Sequence, residues 1–180
     1  EICKYDKSFE DVATKFYEHF VLISESLNKS ESEWVGAWDK EEGFYFDVLQ
    51  LPGKKFIPMK IHSLVGLIPL YAVSVIEKEA LSNIPDFVKR MEWFRNYRLR
   101  KKKFLVIEDY EQDTDVLFSL IPKDRVIKLV EHMIDENEFL APGGIRSLSK
   151  IHEKRYSINL EGEDYGINYQ PGESNTTLFG

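Results

Sequence analysis

From residue 64 to residue 76 the chain is almost continuously apolar, reading Leu-Val-Gly-Leu-Ile-Pro-Leu-Tyr-Ala-Val-Ser-Val-Ile. This run is shorter than the roughly 20 residues that a helix needs to cross a bilayer. With apolar side chains on nearly every side, it must instead be enclosed by neighbours. The spacing predicts a helix over 63–78, kinked or broken in its first turn at Pro69, which has no N–H to donate. The next helical pattern has the opposite character. It follows Asn83, carries Pro85 in its first turn, and sets Phe87, Met91 and Phe94 on one stripe while Lys89, Arg90, Glu92 and Arg95 stay polar. One enclosed helix followed by one covering helix is the pattern of inner helices ringed by outer ones.

Around this pair the chain alternates helix and hairpin. Ser8 with Asp11 forms a plausible capping box, and Phe9, Val12, Ala13, Phe16, Phe20, Ile23 and Leu27 then recur at helical spacing to about residue 28. Residues 29–32 form a polar loop. Residues 44–51 alternate and are ring-rich, Pro52-Gly53 signals a turn, and residues 56–61 return as a second strand. A short strand is expected at 104–107. Pro122 opens a third amphipathic helix facing inward with Val126, Leu129, Val130 and Met133, and Pro142-Gly143-Gly144 ends that region. A second hairpin, 156–160 with 165–169, closes across Glu161-Gly162-Glu163-Asp164.

The bulk numbers exclude several functions. With 43% hydrophobic and 31% charged residues, the chain is globular rather than disordered. A net charge of −7 argues against a phosphate-binding surface, and the one dense basic run, 98–103, sits beside the acidic stretch 108–115, so no nucleic acid is expected. The lone Cys3 forms no internal disulfide. His19, His62, His132 and His152 show no HxxxH or similar spacing, so no zinc motif, metal or cofactor is implied. Without a leader or a membrane span the expectation is cytoplasmic, and residues 1–180 read as a single, incomplete piece of a longer protein.

The chemistry concentrates in Trp38-Asp39-Lys40-Glu41-Glu42-Gly43-Phe44-Tyr45-Phe46-Asp47. Rings beside carboxylates can hold a sugar, the ring covering its C–H face and the carboxylates accepting from its hydroxyls. The same residues also describe an ordinary hairpin with a solvated acidic lead-in, in which Glu41 and Glu42 simply face water.

Three segments in order carry a resemblance to a known family: Trp38-Asp39 through Gly43-Phe44-Tyr45-Phe46-Asp47-Val48-Leu49, then Ser63-Leu64-Val65-Gly66-Leu67-Ile68-Pro69-Leu70-Tyr71-Ala72, then Gly144-Ile145-Arg146-Ser147-Leu148-Ser149. Together they resemble glycoside hydrolase family 63, the processing α-glucosidase-like enzymes, with a looser likeness to trehalases. The resemblance implies a mainly α fold, part of an (α/α)6 toroid with two inserted β-hairpins. It also implies an inverting hydrolase of α-glucosides or glucose-containing oligosaccharides. Such enzymes set a general acid and a general base about 6.5–9.5 Å apart with water between them. By this likeness the acid falls before Glu1 and the base after Gly180, so the chain holds no catalytic residue. Its partners are then the carbohydrate substrate and the rest of the parent polypeptide.

The substrate-binding candidates are Arg146, Ser147, Gly144, Asp47, Trp38 and Ser63. Arg146 offers a fork of donors to a hydroxyl pair or carboxylate, or a structural ion pair. Gly143-Gly144 permits close backbone approach to a ligand. Lys60, His62 and Ser63 lie where the enclosed helix begins and its dipole favours negative charge, although Ser63 also fits a plain N-cap. Asp47 is an acid in a strand, and Trp38 either stacks on a pyranose or packs. The reading from another class is a self-sufficient, non-enzymatic helical interaction module.

Overall fold

The computed structural model describes residues 2–28, 37–53, 55–101 and 115–171. The loop expected at 29–32, the strand expected at 104–107, the end of the basic run 98–103 and most of the acidic stretch 108–115 lie outside the described residues. The chain divides into two compact units, one built from Glu1–Gly36 and Pro69–Lys123, the other from Ala37–Ile68 and Asp124–Gly180. Among the described residues no helix is long and apolar enough to cross a membrane.

In the first unit, helix α1 spans Glu10–Asn28. A 3-10 turn, Lys7–Phe9, leads into it, and the cap is Asp6, whose carboxylate accepts the Ser8 N–H at 2.9 Å, rather than Ser8 itself. The buried face of α1 is Thr14, Tyr17, Val21, Ser24 and Asn28. The expected apolar stripe is therefore only partly used: Ala13 and Phe20 pack against the core, while Val12, Ile23 and Phe16 stay exposed, the last at 70%. The polar side chains of α1 do the anchoring. Ser24 Oγ and Asn28 Nδ2 both donate to the Leu120 carbonyl at 2.7 Å, and periodicity counted on apolar residues alone does not register such bonds.

Helix α2 spans Lys78–Ser82, and α3 spans Pro85–Arg100 with Pro85 in its first turn, as its missing N–H and fixed φ allow. The orphan N–H groups of Asp86 and Phe87 donate to Glu10 Oε2 from α1, each at 3.1 Å. Tyr17 stands at the centre of this unit's core, meeting Phe87, Phe94 and Phe118 edge-on with centroids 5.6–6.0 Å apart. Arg98, only 2% exposed, pairs with Glu25 at 3.0 Å and lies over the Phe94 ring.

The enclosed helix expected over 63–78 does not form. A 3-10 helix, Leu64–Tyr71, takes in Pro69 and ends two residues after it. The chain continues as a strand, Val73–Ile76, paired antiparallel with Val116–Ser119. Pro69 removes a helical donor, and β-branched Val73, Val75 and Ile76 fit a pleated strand better than a helix. The alternation leaves Val73, Val75 and Leu117 exposed rather than enclosed.

The second unit is a set of tight hairpins around one helix, α4, Lys123–Ile134, whose Leu129 is fully buried. The hairpins are Trp38–Asp39 with Phe44–Tyr45, Asp47–Leu51 with Lys55–Met59, Leu140–Ala141 with Gly144–Ile145, and Tyr156–Leu160 with Glu163–Ile167. The last closes through Glu161-Gly162 alone, both at positive φ (53° and 93°), the two-residue turn whose twist matches the strands. Counting the strand pair of the first unit, the described residues form five two-stranded antiparallel sheets. This overturns the expected fold class. The residues that were to supply the toroid's inner helix are 3-10 and strand, and hairpins carry much of the structure.

Candidate functional site

The three segments that carry the family resemblance meet in the second unit. Phe44 is wholly buried, stacks on Phe139 at 5.8 Å, and lies 4.6 Å from the His62 ring, centroid to centroid. Gly66 passes so close to this strand that a Cβ there would stand 2.2 Å from Phe44 Cε1 and 2.5 Å from the Tyr45 carbonyl oxygen. The second and third segments are tied by their main chains. Leu64 N–H donates to the Ser147 carbonyl and Ser149 N–H to the His62 carbonyl, both at 2.8 Å, with a bridge between Ser63 and Leu148.

Beside this junction opens a pocket of about 560 Å³ lined by Trp38, Glu41, Glu42, Arg125, Glu131, His132, Asp135 and Glu138, among others. The turn that carries Glu41 and Glu42 into this lining is held by local bonds. Asp39 Oδ1 accepts the N–H groups of Glu41 and Glu42 at 2.9 and 3.0 Å, and its Oδ2 meets Lys60 Nζ at 2.8 Å. The Lys60 hydrogen bond holds Asp39 below the usual carboxylate range, so Asp39 shapes the turn as an anion rather than serving as a base. Arg125 lies over the Trp38 ring at 4.8 Å and donates to Tyr45 Oη at 3.2 Å. One face of Trp38 therefore carries a cation instead of standing open to a pyranose.

His132 lines this pocket and its ring lies 5.6 Å from that of His62, which in turn lies 5.9 Å from that of His152. His132 Nδ1 lies 2.8 Å from Glu138 Oε2, and its Nε2 lies 2.9 Å from the Glu42 carbonyl oxygen. Both partners accept, so a ring donating to both is the imidazolium, and the bond to Glu138 raises His132 above its ordinary value. His62, 6% exposed, has the opposite character. Burial pushes it down to about 4, and its Nδ1 is buried with no hydrogen-bond partner among the described residues. His152 Nε2 accepts the His62 main-chain N–H at 2.9 Å.

The sequence-predicted site residues fall out as follows. Trp38 lines the pocket, half-buried. Arg146 clamps the turn that follows α4: Nε donates to Tyr169 Oη at 3.1 Å, and Nη1 donates to the carbonyls of Glu136, Glu138 and Leu140. That web serves the main chain beneath Glu138. Ser147 and Gly144 are exposed, Ser147 contributing its carbonyl to Leu64 and Gly144 pairing with Ala141 at φ 135°. Asp47 is exposed at the start of its strand, opposite Met59. Ser63 is half-buried just before the 3-10 helix, its carbonyl accepting Gly66 N–H at 3.0 Å.

Comparison with known proteins leaves the family unassigned. No family model matches the chain, and no solved structure matches it. An uncharacterized protein of Saccharomyces cerevisiae is 36% identical over 194 residues, a span that takes in 100% of this chain and 18% of the yeast protein. A highly reducing polyketide synthase of Alternaria alternata is 25% identical over 178 residues, covering 92% of this chain and 7% of the synthase. The chain thus spans less than a fifth of the length of either relative.

Sequence reasoning did not find the grouping of His62, His132 and Glu138. Their separations follow no metal or catalytic motif. The one usable signal is that His62 adjoins the second resemblance segment, which bonds to the third.

Proposed function

We propose that the chain supplies substrate-pocket and scaffold residues to a larger inverting glycoside hydrolase acting on α-glucosides or glucose-containing oligosaccharides. The observation that carries this reading is that three segments far apart in sequence, each resembling a glycosidase motif, converge beside a pocket lined by a tryptophan and six carboxylates. Acceptors in that number, with Arg125 and Lys128 as donors, suit a ligand made of hydroxyl groups. Exposed apolar side chains on α1 and on the Val73–Ile76 strand support giving the chain the rest of its parent polypeptide as partner. They count against a self-sufficient interaction module, which would cover them. A cytoplasmic setting, where a lone Cys3 stays reduced, belongs to the same reading.

The test is hydrolysis of chromogenic α-glucosides by the full-length protein, with the 180-residue chain and Trp38→Ala beside it. The full-length protein should release the chromophore, the isolated chain should release none at any pH, and Trp38→Ala should raise KM. A folded full-length protein inert on α-glucosides overturns the enzyme reading. Hydrolysis by the isolated chain overturns the placement of the catalytic pair outside it.

A further inference from the structure

We infer that His62, His132 and Glu138 form a binding site for a divalent transition ion of the zinc type. One ring nitrogen from each histidine and one Glu138 carboxylate oxygen all lie within 4.8 Å of one another. Two imidazoles and a carboxylate are a donor set for zinc and its first-row neighbours, and a poor one for magnesium or calcium, which take oxygen alone.

The surroundings are those of a ligand shell. The His132 Nε2 bond to the Glu42 carbonyl fixes the ring and turns Nδ1 toward Glu138, as an acceptor at the far ring nitrogen orients a metal-bound imidazole. Glu138 is held through its main chain, its carbonyl accepting from Arg146 Nη1 at 3.1 Å and from Lys150 N–H at 3.0 Å. His62 is the second, independent observation. A buried imidazole nitrogen with no partner among the described residues forfeits a hydrogen bond, and a metal bond is the interaction that would restore it. Phe44 and Phe46 wall the His62 ring at 4.6 and 5.0 Å, while His132 and Glu138 also line the open pocket. An ion here therefore has a dry back and a wet front, with a fourth position for water or a substrate oxygen.

At bond lengths of about 2.0–2.1 Å, tetrahedral donors stand about 3.3 Å apart. The metal takes the place of the proton between His132 and Glu138, which spreads from 2.8 Å, and His62 draws in. This site does not depend on the sugar reading and survives its failure.

The experiment uses the full-length protein, stripped with a chelator and dialysed against Zn2+, with bound metal counted per chain. His132→Gln and Glu138→Gln should each lose one Zn2+ per chain, and His19→Gln, on the exposed face of α1, should lose none. Co2+ should give a visible d–d absorption that both site variants abolish. Circular dichroism identifies any variant that has not folded, and the half-buried, isosteric Glu138→Gln keeps the test decisive if His132→Gln fails to fold. Equal Zn2+ counts in the parent and in folded Glu138→Gln, or a loss that follows His19→Gln instead, overturns the site.

Discussion

Gly66→Ala is the sharpest probe of how the second unit is assembled. The added methyl would sit 2.2 and 2.6 Å from Phe44 Cε1 and Cζ and 2.5 Å from the Tyr45 carbonyl oxygen. Real Cβ contacts fall well outside those distances, so something must move. The ring cannot retreat freely, because Phe44 is wholly buried between Phe139 and His62, and the carbonyl belongs to a paired strand. Overpacking of this kind costs about 1–3 kcal/mol, and two rigid obstacles place it at the upper end. The loss of unfolded-state freedom returns about 0.4–1 kcal/mol. The net destabilisation is then about 2 kcal/mol, or roughly 4–8 °C in Tm for a chain of this size. Urea unfolding followed by near-ultraviolet circular dichroism measures it. A double-mutant cycle with Phe44→Ala should recover part of the cost, because only the carbonyl clash then remains. A Gly66→Ala protein within 0.5 kcal/mol of its parent would refute the close approach.

Two further outcomes follow from the first unit. Burial pushes Tyr17 up to about 12 from 10, so its neutral form contributes stability that is fully present below pH 10 and is lost as pH rises through 12, about 3 kcal/mol in all; Tyr17→Phe should flatten that alkaline decline in urea midpoints. Glu25→Ala should cost about 3 kcal/mol by removing the carboxylate that pairs with the buried Arg98 guanidinium, as thermal melts would show.

What the sequence disclosed depended on whether the deciding interaction was local. The amphipathic helices 85–100 and 123–134 were legible because Pro85 and Pro122 mark their starts and their apolar residues keep helical spacing. The hairpin turn at Pro52-Gly53 was legible for the same reason, whereas the second hairpin, expected to close across Glu161-Gly162-Glu163-Asp164, closes through Glu161-Gly162 and its returning strand begins at Glu163 rather than at residue 165. The helix 10–28 was legible as a helix but not in its facing, since Ser24 and Asn28 are committed to a carbonyl more than 90 residues away. The run 64–76 misled because apolar density does not separate an enclosed helix from 3-10 and strand, and Pro69 with the β-branched residues after it decides the matter. At the site, Trp38 was readable as a candidate, whereas Glu41 and Glu42, read as facing water, line the pocket and Asp47 does not. Arg146 was readable as important, but its use on three carbonyls was not, and neither was the meeting of His62 with His132, which only the tertiary fold creates.

The division of the chain bears on its synthesis. Because the chain passes between the two units three times, neither can be cut out as one continuous stretch, and any truncation that keeps one whole also keeps part of the other. Helix 10–28 leaves the ribosome long before Phe87 and Phe118, the residues its Tyr17 packs against. At roughly 5–20 residues per second, that interval is about 5–18 s for a helix carrying apolar side chains on two faces. For that time the apolar side chains of the nascent helix lack the partners they pack against in the folded chain.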